Sequence, residues 1–241
     1  MRSFFALALA GVVASKTITA QDFEFMKYIT SFNKRYETRE EFDMRKELFK
    51  QAAVEIVEHN MGNNTSTMGH NQFSDWTDEE YNGMMGFLAL EPLGEGGMNL
   101  SFEPTTETEV DWVAKGAVTA VKNQGACGSC WSFSATGSME GAHFLATGEL
   151  LSLSEQELVS CSHNGNLGCM GGMMDKAFSW TETTKLETES DYPYKGWLGA
   201  LSCNSDKTKG KVGVTSYMDV TPSSSEALKA AIAKGPVSVA I

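Results

Sequence analysis

One stretch decides the fold: Asn123-Gln124-Gly125-Ala126-Cys127-Gly128-Ser129-Cys130-Trp131-Ser132-Phe133. A glycine-rich loop here runs into an apolar, helix-like segment, and the thiol of Cys130 lies at the junction. The first N–H groups of a helix lack intrahelical acceptors and the helix macrodipole is positive at that end, so a thiolate at this position is stabilised. The stretch therefore predicts a nucleophilic cysteine at the start of a helix.

The composition is that of an acidic globular protein. The 241 residues are 41% hydrophobic, enough for one large or two small domains with a core. The formal net charge of -12 makes nucleic acid and anionic membranes improbable partners, because both would repel such a surface. We expect neither as a partner, and we expect no cofactor and no metal site.

The N-terminus predicts a secretory signal peptide over residues 1–20. Arg2 precedes the apolar run 4–14, which is too short to span a bilayer but suits the central region of a signal peptide. The alternative is a buried helix. Entry into the secretory pathway predicts a lysosomal, vacuolar or extracellular location and permits disulfides.

The five cysteines all lie at or after Cys127. An odd number leaves one thiol over, and four cysteines can pair in three ways. Cys127-Gly128-Ser129-Cys130 also has the spacing of a thioredoxin-like redox motif. That alternative is disfavoured because no strand–helix–strand alternation surrounds the motif.

The first half predicts two helices and a shorter third. Apolar residues recur at helical spacing over 25–36, Thr38 and Glu41 form a capping box that opens a longer helix, and Thr77 to Glu80 caps the third. One face of the longer helix carries Glu41, Arg45, Phe49, Ala52, Ile56 and Asn60. Downstream, at alternate positions, stand Gly69, Asn71, Phe73 and Asp75.

These two patterns resemble the inhibitory propeptide of cathepsin L-like cysteine proteases. Ala52 stands where the helical pattern has asparagine. Residues 127–131 also fit the Cys-Gly-[Ser/Ala]-Cys-[Trp/Tyr] signature around the papain and cathepsin nucleophile. The resemblance continues through four further stretches, 153–156, 168–172, 192–194 and 235–241.

The resemblance implies roles for individual residues. Cys130 would attack the scissile carbonyl, while the side-chain amide of Gln124 and the N–H of Cys130 would hold the oxyanion. Disulfides would join Cys127 to Cys169 and Cys161 to Cys203, which leaves Cys130 free. Substrate would contact Ser129, Gly171, Gly172, Met173, Met174 and Ala240. The two methionines have an alternative interpretation as core filler.

The resemblance also implies the domain order: a signal peptide over 1–20, a helical inhibitory propeptide over 21–89, a linker with a processing site over 90–109, and a peptidase domain over 110–241. The expected fold class is α+β, with a helical lobe and an incomplete β-barrel lobe. Helices are expected over 130–147, after Ser154, over 175–181 and after Ser224, where Gly235-Pro236 would end the last one. Extended segments are expected over 110–112 and 118–121, and a strand over 237–241.

The base that nucleophilic thiol catalysis needs is missing from the pattern. A histidine and an asparagine are expected about 130 to 150 residues after the cysteine, past residue 241. His59 and His70 lie in the propeptide, His143 lies about 20 Å along the helix from Cys130, and His163 is expected to face solvent. The sequence therefore predicts a chain truncated within its second lobe.

Function follows as two expectations. The first is a cysteine endopeptidase that hydrolyses protein or peptide substrates and is made as an inactive pre-pro form, with its own propeptide as intramolecular inhibitor. The alternative is a catalytically incomplete chain that acts as a propeptide-type inhibitor of cysteine proteases or is an inactive homologue.

Overall fold

The structure is a computed structural model that describes residues 17–88 and 102–240. The predicted signal peptide up to residue 16 and most of the predicted linker lie outside these ranges. The chain divides into two compact units, the first up to Thr77 and the second from Asp78. Residues 78–88, which the sequence assigned to the propeptide, therefore pack with the second unit.

The described part of the first unit, from residue 17 on, contains two helices, α1 (Ala20–Ser31) and α2 (Arg39–Met61). The Thr38 hydroxyl accepts a hydrogen bond from the Glu41 N–H at 3.1 Å, as the predicted capping box requires. In a complete capping box the Glu41 carboxylate would also accept from the N–H of Thr38. Here it accepts from the N–H of Glu37, one residue earlier. Helix α1 ends at Ser31, so the apolar period that continues to Tyr36 extends beyond the helix.

The core of the first unit is aromatic. Phe25 and Tyr28 on α1 are buried against Phe49 on α2, and their ring centroids lie 4.9 to 6.2 Å apart. Burying a side chain of this size contributes about 1.5–3 kcal/mol. Helices α1 and α2 thus pack through the residues that the helical periodicity selected.

The second unit contains five α-helices among the residues described: α3 (Asp78–Asn82), α4 (Cys130–Thr147), α5 (Glu155–Cys161), α6 (Met174–Thr181) and α7 (Ser225–Ile232). Two short 3-10 helices, Gly168–Met170 and Gly196–Leu198, lie between them. Helix α4 has the predicted bounds, and Gly148 ends it in the left-handed conformation with φ 81°. Helix α7 stops at Ile232, before the glycine and proline expected to end it.

The expected β structure is sparse. In the ranges that the structure describes there is no strand, and three isolated bridges join Phe87 to Gly172, Leu153 to Thr188 and Leu186 to Val212. The prediction of a strand over 237–241 is wrong for 237–240. A strand needs the backbone of a neighbouring strand, whereas the N–H and C=O of Val239 bond to the hydroxyl of Ser134 on α4. Segments 110–112 and 118–121 form no strand either.

The core of the second unit surrounds α4. Trp131 and Met139 on this helix are buried with Leu158 of α5 and Ala177 of α6. The indole N–H of Trp131 donates to the Gly168 carbonyl at 3.1 Å. The start of α4 is therefore fixed by packing on one side and by a hydrogen bond to the 168–172 loop on the other.

Candidate active site

Cys130 is the first residue of α4 and is partly exposed. It is the one free thiol of the five cysteines, because the structure joins Cys127 to Cys169 and Cys161 to Cys203. This is the pairing that the resemblance implies. The first disulfide also ties the loop before Cys130 to the 168–172 loop, where the Gly128 N–H donates to the Cys169 carbonyl at 3.0 Å.

The Gln124 side chain holds a peptide carbonyl. Its Nε2 donates to the carbonyl oxygen of Met84 at 3.0 Å and to that of Cys127 at 2.9 Å. The bond to Cys127 orients the amide from within the loop, and the bond to Met84 reaches a segment 40 residues earlier in the chain. The amide predicted to hold an oxyanion therefore binds a backbone oxygen.

The segment that contains Met84 also pairs with Gly172. The Gly172 N–H donates to the Gly86 carbonyl at 2.8 Å, and the Leu88 N–H donates to the Gly172 carbonyl at 3.0 Å. Gly86 approaches the backbone of Gly128 so closely that a Cβ atom on Gly86 would collide with the Gly128 carbonyl. One segment, residues 84–88, thus contacts the loop before Cys130 and the 168–172 loop.

The two glycines predicted to bind substrate differ in their bonds. Gly171 has a φ of 121°, which favours glycine, and its N–H donates within its own loop to Gly168. Gly172 offers both backbone groups to the 84–88 segment, and a Cβ atom there would lie 2.7 Å from the ring of Trp131. Gly172 is therefore the residue whose backbone pairs with an extended chain.

The remaining residues predicted to contact substrate differ in how far they are exposed. Met173 is 3% exposed, and Met174 packs against the core cluster. Ala240 is exposed beside Val239, which bonds to Ser134 one helical turn after Cys130. The Ser129 side chain is fully buried and bonds to Tyr194. Substrate binding by these residues stays a prediction.

A buried ionic cluster supports the loop, and the sequence analysis missed it. Lys122 Nζ lies 2.7 Å from Glu140 Oε1 of α4 and 2.6 Å from Glu155 Oε1 of α5. Burial by itself would lower the pKa of Lys122, but the two carboxylates raise it. The cluster anchors the chain two residues before Gln124. Its members are 15 to 33 residues apart, so only the fold brings them together.

The four histidines lie where the sequence analysis placed them. His59 and His70 belong to the first unit, and His163 is exposed with its ring bonded to the Ser160 carbonyl. His143 is half-buried in α4, and its Nε2 has no hydrogen-bond partner in the part of the chain described. In that same part, no hydrogen bond joins an imidazole to Cys130.

The propeptide motif residues meet around Asp75 in the first unit. The carboxylate, 1% exposed, accepts from the hydroxyls of Tyr28 and Tyr36 and from Lys34 Nζ at 2.6 to 2.8 Å. Burial, followed by the bond to Asp75, raises the pKa of each tyrosine. Arg45 donates to the Asp75 carbonyl at 2.9 Å. The helical pattern and the downstream pattern therefore join at this residue.

The other motif residues have smaller parts. Asn60 exchanges two hydrogen bonds with the backbone of Met68. The Asn71 side chain accepts from the Phe73 N–H at 2.9 Å. Glu41 pairs with Arg45, Phe49 is buried and Ile56 is half-buried, whereas Gly69 has open space where a side chain would stand.

Two negative findings apply to residues 17–88 and 102–240. No group of three or more histidine, cysteine, aspartate or glutamate side chains in these ranges is arranged to hold a metal ion. No helix there is both long enough and apolar enough to cross a membrane.

Comparison with known proteins identifies the class. Residues 106–241 match the papain family cysteine protease domain, so the chain belongs to the papain family of cysteine proteases. Residues 25–81 match the cathepsin propeptide inhibitor domain, so the peptidase region follows an inhibitory propeptide. The sequence-based prediction of this family is confirmed.

The relatives agree in name and fold. Cysteine proteinase 5 of Dictyostelium discoideum is 39% identical over 99% of this chain and 70% of its own length. Cysteine proteinase RD21A of Arabidopsis thaliana is 42% identical over 83% of this chain, but the match covers only 44% of that protein. Digestive procathepsin L 3 of Tenebrio molitor is 32% identical with a TM-score of 0.77, over 90% of this chain and 71% of that one. The predicted papain-like fold with a propeptide is confirmed.

Proposed function

We propose that this protein is a cysteine endopeptidase made as an inactive pre-pro form, whose Cys130 thiolate attacks the scissile carbonyl of protein or peptide substrates. The observation that carries the proposal is the 3.0 Å hydrogen bond from Gln124 Nε2 to the Met84 carbonyl. This bond supports the proposal, because a peptide carbonyl oxygen is the atom on which charge develops during acyl transfer.

The proposed reaction needs a nucleophile and a site that binds the oxyanion. The thiolate of Cys130 forms the acyl bond, and the Gln124 amide together with the Cys130 N–H stabilises the oxyanion. Proton transfer to the leaving amine requires an imidazole beside the thiol. We propose that a histidine and an asparagine encoded after residue 241 supply this step, since the matched relatives are longer than the regions they share with this chain.

The segment 84–88 supports self-inhibition. It engages the Gln124 amide and both backbone groups of Gly172, the groups that an extended substrate would need. A substrate therefore binds only after this segment leaves. Removal of the propeptide by a cut in the linker 90–109 would free both groups.

Substrate preference follows from the residues beside Gly172. An extended peptide would pair with the backbone of Gly172, and its neighbouring side chain would meet Met173, Met174 and Ala240. Methionine side chains adapt to varied apolar shapes. Leucine, phenylalanine and similar residues are therefore expected second upstream of the cut.

The location proposed is the secretory pathway, ending in a lysosome, a vacuole or the extracellular space. Two disulfides in the second unit suit an oxidising compartment. An acidic organelle would also supply the conditions for maturation.

Two measurements test the enzyme proposal. Sequencing the transcript past codon 241 should reveal in-frame codons for histidine and asparagine. The secreted product, incubated at about pH 5, should cut within 90–109 and then hydrolyse a fluorogenic peptide. Gln124→Ala should lower kcat by about 10²–10³, and Cys130→Ser should abolish turnover. A Cys130→Ser protein as active as the parent would end the proposal.

A second function is favoured by the independence of the first unit. Its aromatic core and the partners of Asp75 come entirely from residues up to 77. Such a unit could inhibit other cathepsin L-like enzymes as a separate molecule. A recombinant 21–89 segment should then slow peptide hydrolysis by one of these enzymes. If the segment has no effect on any of them, this function is excluded.

A further inference from the structure

Two overlapping glycosylation motifs lie just after α2. Asn63-Asn64-Thr65 and Asn64-Thr65-Ser66 both fit the pattern Asn-x-Ser/Thr, in which x is not proline. Enzymes of the secretory pathway attach an oligosaccharide to the asparagine of this pattern, and a bulky glycan needs a surface position. Residues 61–70 are all exposed, so exposure alone does not distinguish the two asparagines.

The end of α2 engages both polar residues of the second motif. Asn64 Nδ2 donates to the carbonyl oxygen of His59 at 2.6 Å. This carbonyl belongs to the last turn of α2, where carbonyl groups find no partner within the helix. On the same residue, the ring atom Nε2 lies 3.2 Å from both the hydroxyl and the carbonyl oxygen of Ser66. The asparagine and the serine of the second motif therefore close the loop onto the helix.

The Asn64 amide also has little room for a sugar. It faces Gly62 so closely that a Cβ atom on Gly62 would lie 2.9 Å from Asn64 Nδ2. An amide nitrogen carries two hydrogens, and an N-linked glycan replaces one of them with a sugar carbon. A glycan on Asn64 would therefore crowd the end of α2 or break the bond to His59.

The first motif is free of such contacts. The side chains of Asn63 and Thr65 are exposed and form no hydrogen bond with any residue in the described part of the chain. The two motifs are offset by a single residue. The loop thus uses the asparagine and serine of one motif to close itself and leaves the asparagine and threonine of the other to solvent.

We propose that the folded, secreted protein carries one N-linked glycan in this loop, on Asn63 and not on Asn64. In the transfer, Asn63 Nδ2 forms a bond to C1 of the reducing-end sugar of a lipid-linked oligosaccharide. The bond from that carbon to the lipid pyrophosphate breaks, the lipid pyrophosphate leaves, and the amide nitrogen gives up one proton. This inference rests on the proposed secretory location, which brings the chain to the transferase.

The fold selects between the two asparagines after the transfer. The transferase meets the chain before it has folded, so either asparagine can accept the glycan at first. Only a chain modified at Asn63 can then close the loop with the contacts of His59 intact. Secreted chains should therefore carry the glycan on Asn63. Since Asn63 belongs to the first unit, the glycan should leave together with the propeptide.

The test is to map the glycan on the full chain secreted by cultured eukaryotic cells. A peptide N-glycosidase in heavy-oxygen water converts each glycan-bearing asparagine to an aspartate that contains heavy oxygen. Digestion after glutamate then releases residues 59–79 as one peptide. Its fragmentation spectrum separates a label on Asn63 from one on Asn64. A third motif, at Asn99, lies outside the described residues and also outside this peptide.

The peptide contains its own controls. Asn60 and Asn71 lie in it but fit no glycosylation motif, so both should stay unlabelled. A sample kept in heavy-oxygen water without the glycosidase reports spontaneous deamidation, which has to be subtracted.

Two variants remove one motif each and keep both asparagines. Ser66→Ala removes only the second motif and should keep the parent's label on Asn63. Thr65→Ala removes only the first motif. Its secreted protein should lose the label on Asn63 and gain none on Asn64, because a glycan there is incompatible with the closed loop.

Three results would overturn the proposal: a label mainly on Asn64 in the parent, no label on either asparagine in the secreted parent, or Thr65→Ala secreted with Asn64 as fully labelled as Asn63 is in the parent. If Ser66→Ala is not secreted, the labelled position in the parent still decides the question. A secreted parent without this glycan contradicts the present proposal alone. A parent that never enters the secretory pathway contradicts the proposed location and overturns this proposal with it, so the two failures are distinguishable.

Discussion

The two units bury carboxylates in different surroundings. In the first, the Asp75 carboxylate meets two tyrosine hydroxyls and the ammonium group of Lys34. The second unit has a comparable pairing, of Lys122 with Glu140 and Glu155, but it also buries Glu157 and Glu187, which are 0% and 2% exposed. Glu157 accepts from the Glu187 N–H and the Ser205 hydroxyl, and Glu187 accepts from the Asp206 N–H. None of these donors is a cation.

One titratable group in each unit responds to pH in the opposite direction to the other. Burial, followed by the Glu187 charge, raises the pKa of Glu157. The folded second unit therefore prefers the protonated acid and loses stability as the pH rises. His70 is exposed overall, but partial burial of its ring against Phe49 lowers the pKa of His70, and through this group the first unit loses stability as the pH falls. Through these two groups, acid lowers the stability of the first unit and raises that of the second.

Covalent bonds reinforce the contrast. Both disulfides lie in the second unit, whereas no cysteine occurs before residue 127. The first unit depends on noncovalent contacts alone. Reducing agents and acid should therefore act on different units.

The largest effect is expected from removing the Cys161–Cys203 disulfide. The bridge closes a loop of 42 residues, and a loop of that length constrains the unfolded chain by about 4 kcal/mol. The double variant Cys161→Ala with Cys203→Ala should lower the urea midpoint of the second unit. Hydrogen exchange of α4 and α5 measures it, and α1 and α2 serve as the internal control. Equal losses in both units would contradict the contrast.

Asp75→Asn should be the next largest change, this time in the first unit. It leaves the buried ammonium group of Lys34 without its counter-charge and places an amide donor among donors. Breaking such a buried pair costs about 3 kcal/mol. Exchange of the α1 and α2 amides in urea gives the free energy of unfolding.

The matched control for Asp75 is Asp43→Asn. Asp43 is an exposed residue of α2 whose ion pairs are at 3.8 and 4.0 Å. A surface pair contributes about 0–1 kcal/mol. If Asp43→Asn and Asp75→Asn have equal effects, the network around Asp75 is not what stabilises this unit.

Glu157→Gln should flatten the pH dependence of the second unit. The parent gains its full contribution below the ordinary pKa of 4.5 and loses it as the pH rises through the raised value. Glutamine carries no charge at any pH, so the free energy of unfolding of the second unit should fall less between pH 5 and pH 7 in the variant than in the parent. The exposed Glu149→Gln is the control and should keep the parent slope. An unchanged slope in Glu157→Gln would show that Glu157 does not cause the pH dependence of the second unit's stability.

His70→Leu should give the smallest effect, with the opposite sign. The His70 ring stacks on Phe49 with centroids 4.1 Å apart, and protonation would place a charge in that stack. The contribution of neutral His70 is present above pH 6.5 and is lost as the pH falls below it. Leucine keeps the apolar contact without titrating, so the opening free energy of α1 and α2, obtained from exchange rates corrected for the intrinsic rate at each pH, should fall less on going from pH 7 to pH 5. His163→Gln, in the other unit, should show the same fall as the parent.

The sequence by itself determined the family and the local structure. Helix bounds at Cys130, Thr147 and Gly148 follow from caps and glycines whose effects reach only three or four residues. The same holds for the caps at Thr38 and Ser154. The free thiol follows from an odd cysteine count, and the papain family follows from motifs of five to twenty residues. Short-range chemistry of this kind is contained in the local order of residues.

The tertiary structure alone decided how the site is assembled. Met84 reaches Gln124 across 40 residues, Tyr194 reaches the same residue across 70, and Lys122 meets Glu155 across 33. Tyrosine, lysine and glutamate are common residues, and nothing in their local spacing marks these particular ones. The predicted strand at 237–241 was wrong over 237–240 for the same reason, because a strand exists only when a distant backbone lies beside it. Only folding brings these partners together, since hydrogen bonds act over about 3 Å.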